Sequence, residues 1–158
     1  MNKQITKFKD LLGTKSSDNR SAEINNGILL FESKNNLLIP SDLAEYFRLM
    51  DNTAYEMDKE LFRFRSFDHF KNIDAELANW GGIPNYTNII NTLSQSENCF
   101  VFADFMIHTF TYAIRLYPNL VDINEIYIIS GDQYKIISNS FSDFLDLYFS
   151  DSMELQFE

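Results

Sequence analysis

The chain has 158 residues, 45% of them hydrophobic and 15% aromatic, and a formal net charge of −10. At this length folding removes roughly 70% of the unfolded chain's surface from water, so one real core is expected and a disordered or fibrous chain is excluded. A single cysteine, Cys99, rules out an intramolecular disulfide, and the two isolated histidines, His69 and His108, form no cluster with metal-ligand spacing.

The net charge is confined to the later half. Residues 1–71 carry 11 acidic and 11 basic side chains, whereas residues 72–158 carry 12 acidic ones against only Arg115 and Lys135. Such a field repels phosphate backbones, which argues against nucleic acid as a partner, and attracts basic proteins; solubility is its blander use. No apolar run approaches the roughly 20 residues of a membrane span, and the lysine-bearing start lacks the apolar centre of a signal peptide. A soluble, cytoplasmic protein in a reducing compartment is the expectation. Its organisation reads as one domain over 1–158, with a helix-and-loop extension over 1–21, a core over 22–150 and an acidic tail over 151–158.

In chain order, Ile5, Phe8 and Leu12 predict a short helix over 1–12, followed by an exposed loop in TKSSDNRS. Ile24, Ile28 and Phe31 recur at i, i+4 and i+7, which predicts a helix over about residues 22–33 in spite of Gly27, a cost of about 1 kcal/mol relative to Ala. Pro40 stops what precedes it, and Ser41 is suited to cap a new helix with Asp42 in its positive first turn. Leu43, Tyr46, Phe47 and Met50 draw an apolar stripe along that helix, which should end near Asp51-Asn52. Residues 61–65 alternate as a strand, Phe62 and Phe64 on one side and Arg63 and Arg65 on the other; the arginine side reads as solvated, with an anion site as the alternative. Ser66 is expected to cap a helix whose buried face is Phe70, Ile73 and Leu77, ending at Trp80-Gly81-Gly82. Residues 86–93 lean to helix through Ile90 and Leu93.

From Cys99 the period changes to that of strands. Phe100 and Phe102 fall on one side, as do Phe110, Tyr112, Ile114 and Leu116 of the next strand. The other side carries Val101, Ala103, Thr109, Thr111, Ala113 and Arg115, smaller and more polar residues that predict a face open to water or lightly covered. Alternation puts Asp104 with Phe100 and Phe102. There it is either an exposed strand-end cap or a carboxyl with a raised pKa for acid–base work, although no second carboxylate is identifiable beside it. Ser130-Gly131-Asp132-Gln133 has the chemistry of a two-residue hairpin, pairing Ile129 with Tyr134 and Tyr127 with Ile136. Ile126, Ile128 and Ile137 make the hairpin apolar on its other side too, so both strands are expected inside the sheet. Ser140 is placed to cap a last helix, Asp143 to complete a capping box, and Phe141, Phe144, Leu145 and Tyr148 to form its buried stripe. SDSMELQFE reads as a frayed tail, with a short strand through Leu155 and Phe157 as the alternative.

The sequence holds no Gly-rich phosphate loop, no G-x-S-x-G elbow and no H-E-x-x-H pair. Cys99 and His108 are formally a nucleophile pair, but a thiol opening an apolar strand is ordinarily a small buried hydrophobe. The reading is therefore non-enzymatic, without cofactor or metal, in an α+β single domain.

The order of segments adds a resemblance. A helix ending in FES, then LLIPSDLAEYF, a middle helix, FVFADF, a strand ending in YAIRL, EIYIIS and finally ISNSFSDFLDLYF resembles the SUKH superfamily, and within it the relatives of the fungal Smi/Knr regulators of cell-wall glucan synthesis. The likeness spans about residues 22–150. It is most specific in residues 38–47, in Phe102-Ala103-Asp104, and in Ser140-Phe141 with Phe144-Leu145; Asp51-Asn52-Thr53 and Ile39-Pro40 depart from the commoner Asn-Gly and Leu-Pro. The resemblance implies a central, mostly antiparallel sheet flanked by helices and a non-enzymatic role, in bacteria mostly that of an immunity protein that neutralises a cognate toxin, often a nuclease. On that reading Asp104, Asp122, Glu125, Asp132, Asp143 and Asp146 are the candidate partner-binding residues, standing in for substrate phosphates before a basic toxin. The alternative is a regulatory or scaffold protein that binds an endogenous partner.

Overall fold

The structure, a computed structural model, describes residues 3–12, 18–50, 57–58 and 60–157. Six strands form one antiparallel sheet: β1 (Phe62–Phe64), β2 (Lys71–Asn72), β3 (Cys99–Phe105), β4 (Phe110–Arg115), β5 (Ile126–Ser130) and β6 (Gln133–Ser138). Their order is β1-β3-β4-β5-β6, with β2 following β1 along the same edge of β3. The α+β class expected from the sequence is the observed one.

One face of the sheet is covered by α1 (Lys3–Leu12), α2 (Asp18–Asn35), α3 (Ser41–Leu49) and α6 (Phe141–Phe149). Each brings the stripe its period predicts. Ile5 and Phe8, Ile24 and Ile28, Leu43, Tyr46 and Phe47, and Phe141, Phe144 and Leu145 are all buried. Aromatic rings dominate this core and meet edge to face, as Phe8 with Phe64 at 4.6 Å and Phe102 with Phe144 at 4.8 Å, the geometry their quadrupoles favour. Ser140 caps α6 as expected, its Oγ accepting from Asp143 N at 3.0 Å. At α3 the cap position is Pro40, not Ser41, and Asp42 does other work. Its Oδ1 accepts from Leu43 N, and its Oδ2 accepts from Ser142 N and Oγ, both at 2.9 Å, joining α3 to α6. α2 already begins at Asp18, inside the stretch expected as a loop, and the expected α3 end at Asp51-Asn52 lies outside the described residues. Gly27 has a packing reason: a Cβ there would lie 2.7 Å from Phe67 Cε1.

The second face is not open. Residues 73–98, including α4 (Ile73–Leu77) and α5 (Ile89–Thr92), lie over it and bury Ile73, Leu77, Tyr86, Ile89 and Leu93 against Cys99, Val101, Ala113, Tyr127 and Ile129. The small residues of β3 and β4 make room for this cover. Ile90, half of the expected stripe, is 52% exposed. The single helix expected from Ser66 to Trp80 is broken into a 3-10 turn (Phe67–His69), β2 and α4, because Phe70 packs on the first face and Ile73 and Leu77 on the second. The chain thus crosses the sheet's edge between them, and Asn72 caps α4 in place of Ser66, accepting from Ala75 N at 2.8 Å.

The hairpin register is the one expected, Ile129 with Tyr134 and Tyr127 with Ile136, and Gly131 takes φ +64°. β6 nevertheless forms the sheet's rim, with Tyr134 and Ile136 39% and 53% exposed. The acidic tail is docked: Met153–Leu155 forms a 3-10 turn, Leu155 is buried, and its carbonyl accepts from the Tyr112 hydroxyl at 2.6 Å. Among the described residues no helix is long and apolar enough to cross a membrane.

Candidate functional site

Pairing of β3 with β4 shifts between Val101 and Ala103, so Phe102 is an extra residue. A bulge reverses every later side chain. Asp104 therefore pairs with Thr111 on the second face and not with Phe100 and Phe102, as simple alternation has it. β1 lies opposite it with Arg63 in register, and Arg65 follows two residues on, pointing the same way.

A buried charge cluster results. Arg63 donates to Asp104 Oδ2 from Nε at 3.0 Å and from Nη2 at 2.9 Å, and Arg65 Nη2 lies 2.8 Å from the same oxygen. Arg65 Nη2 also donates to Glu76 Oε1 at 2.6 Å, with His108 Nε2 3.3 Å from that oxygen. The His108 backbone N–H donates to Asp104 Oδ1 at 3.3 Å. Arg65 and Asp104 have 0% exposure. Burial alone would raise the Glu76 carboxyl, but the adjoining His108 ring and the Arg65 guanidinium hold it below the ordinary carboxylate range.

The tautomer of His108 follows from its neighbours. The Tyr86 hydroxyl donates its one proton to the His108 carbonyl at 2.6 Å, so it accepts from Thr111 Oγ1 at 3.1 Å. Thr111 Oγ1, having spent its proton, accepts from His108 Nδ1 at 2.9 Å, which places a hydrogen on Nδ1. Nε2 then faces Glu76, with Trp80 edge-on to the ring at 4.9 Å. These bonds hold a turn in which Met106, Ile107 and His108 all have positive φ, 47°, 52° and 63°. Left-handed conformations of such residues cost of order 1–3 kcal/mol each, so the surrounding bonds must over-determine them.

This geometry corrects two expectations. Arg63 and Arg65 line no solvated face; they neutralise a buried carboxylate. Asp104 is neither an exposed cap nor available to a partner, since its side chain is fully buried and both oxygens are taken. The cluster is a clamp joining β1, β3, the 106–109 turn and α4, and Tyr46 of α3 ties on through its hydroxyl to the Arg65 carbonyl at 2.7 Å. Cys99 lies at the far end of β3 from His108, about 20 Å along the strand, and burial pushes its thiol up to about 12. The two form no nucleophile pair. Among the described residues no group of three or more His, Cys, Asp or Glu is placed to hold a metal ion.

No family model, no curated protein and no solved structure matches this chain.

The remaining candidates lie outside the clamp. Asp122, Asp132, Asp143 and Asp146 are exposed, with Asp146 accepting from Gln4 Nε2 at 3.1 Å. Glu125 is half-buried and takes the Tyr117 hydroxyl on both oxygens, at 2.6 and 2.9 Å. Asn124 N donates to Asn139 O at 2.9 Å, which brings the β4–β5 loop against the start of α6 and gathers Asp122, Glu125 and Asp143 at one end of the molecule. Asp132 is in the hairpin at the other end of β5, roughly 16–20 Å away by strand rise. The structure therefore does not assemble all the predicted carboxylates into one patch. It also shows what sequence reading passed over: the loop beside Asp122 exposes Leu120 at 88%, Val121 at 42% and Ile123 at 47%. The signal was present in PNLVDINE, a turn-like stretch with three branched apolar residues and no partner period. Arg63 and Arg65 had been weighed as an anion site and His108 as a partner of Cys99, but their link to Asp104 and Glu76 was passed over; a carboxylate within the apolar strand CFVFADF demands a buried cation, and the alternating arginines were at hand.

Proposed function

We propose that this chain is a non-enzymatic, cytoplasmic immunity-type protein of SUKH kind, which binds and neutralises a basic protein toxin domain. The observation that carries the reading is the β4–β5 loop, where Leu120, Val121 and Ile123 stand exposed beside Asp122, with Asp143 at the same end. Apolar side chains that become desolvated within a charged surround are the usual anatomy of a tight protein interface. The charge supports the same reading. Of the two cations in the later half, Arg115 is buried and donates to Tyr127 Oη and to the Ser94 and Gln95 carbonyls, leaving Lys135 alone at the surface. Exposed carboxylates then act on a basic partner from a distance and accelerate encounter.

Co-expression with any basic toxin domain encoded beside this gene is the test. Protection of the cells, with an association rate that falls steeply as salt is added, is the expected result. Absence of protection overturns the immunity reading, and a salt-independent rate overturns its electrostatic part.

A further inference from the structure

A second feature lies along α2, away from the buried charge clamp. Between the end of α2 and the 3-10 turn, β2 and α4 runs an open groove of about 430 Å³. Its floor is aromatic: Phe31, Phe70 and Phe100 meet with centroids 5.0–5.8 Å apart, and Phe67 closes one end against Gly27. Leu30, 72% exposed, lines it from α2. The lining includes Lys34 and Lys71 and no carboxylate, in a chain whose net charge is −10. Both lysines are exposed, and among the described residues neither forms an ion pair.

From this combination we propose that the groove binds a small organic anion with an apolar body. The phenyl rings would take the hydrocarbon or aryl part, and Lys34 and Lys71 the anionic head. The size suits such a ligand, since pockets for small molecules run from about 300 Å³ upward with apolar walls and few polar groups. The net negative charge elsewhere does not forbid it. Salt screens exposed charges beyond about 8 Å at physiological ionic strength, so the two lysines set the local field. The gap between α2 and β2 is kept open by packing, because Gly27 and Phe67 are already in contact and Phe70 is fixed beneath.

A probe pair with one apolar body separates the contributions: 8-anilinonaphthalene-1-sulfonate, which is anionic, and N-phenyl-1-naphthylamine, which is neutral. Binding is read by fluorescence titration, and its place by amide shifts in the folded protein. Saturable one-to-one binding that moves the amides of Gly27, Phe31, Lys71 and Phe100 is expected, with the sulfonate preferred about fivefold, the scale of two partly exposed ion pairs. Lys34→Gln with Lys71→Gln should abolish that preference and leave the neutral probe's binding unchanged; both sites are exposed, so the fold is not at stake. Shifts centred elsewhere, equal affinity for the two probes, or a preference that survives the double substitution would each overturn the proposal. So would an acidic amphipathic peptide that moves these amides where the sulfonate does not, which would make the groove a peptide site.

Discussion

Two guanidinium groups and a backbone N–H converge on Asp104, so neutralising it leaves Arg63 and Arg65 side by side with too little negative charge between them. Breaking a buried pair from one side costs about 3–5 kcal/mol. Asp104→Asn should therefore lower the urea midpoint by that much stability, whereas Asp132→Asn, at an exposed hairpin, should stay within about 0.5 kcal/mol of the parent. Glu76 adds a pH dependence of known sign. Its folded pKa is depressed, so its contribution is fully present above the unfolded value of about 4.3 and is lost as pH falls through the folded value. Thermal melts between pH 7 and 3 should show a loss below about pH 4.3 that is smaller in Glu76→Gln; an unchanged acid limb would refute the assignment. At this scale the identity of the charges was legible in the sequence and their partners were not. The reason is one residue, Phe102, whose bulge exchanged the faces of everything after it.

Among the elements, those with a long apolar period were legible, because a helix that buries Leu43, Tyr46, Phe47 and Met50 has only one way to turn. Residues 66–80 were not, since Phe70 and Ile73 share a helical face on paper but belong to opposite faces of the sheet. The edge position of β6 was equally hidden: Tyr134 and Ile136 look like core residues, and only the strand order places them at a rim. The tail behaves as an element of the core and not as a frayed end. Leu155→Ala should cost about 2–5 kcal/mol, the range for a buried leucine, through the lost side chain and a loosened Tyr112 bond. Denaturant unfolding checks this, and a change below about 0.5 kcal/mol would mean that the tail is not docked in solution.

For the molecule as a whole, the placement of charge matters more than its sum. Asp104 and Glu76 are consumed by the clamp, so the acidic excess at the surface comes from Asp122, Asp143, Asp146 and their neighbours, with Asp132 a strand length away. If the β4–β5 loop is the contact, Leu120→Ala should weaken toxin binding by more than about 1 kcal/mol, chiefly by faster dissociation, and Asp132→Asn should alter only the association rate, and slightly. Calorimetry and stopped-flow association on the two variants measure the difference. Equal effects would move the contact away from the loop.

By itself the sequence determined the α+β class, the stripes of the first-face helices, the Gly131-Asp132 hairpin with its register, and the confinement of net charge to the later half, since local period, turn chemistry and composition are properties of short stretches. Only the tertiary structure decided that the second face is covered, that β6 is an edge, that Asp104 is a clamp and not a contact, and that Leu120 stands beside Asp122 in the open. Each of these depends on which distant segment arrives at a given face, and that is settled by packing across the sheet and, for Asp104, by the bulge in β3.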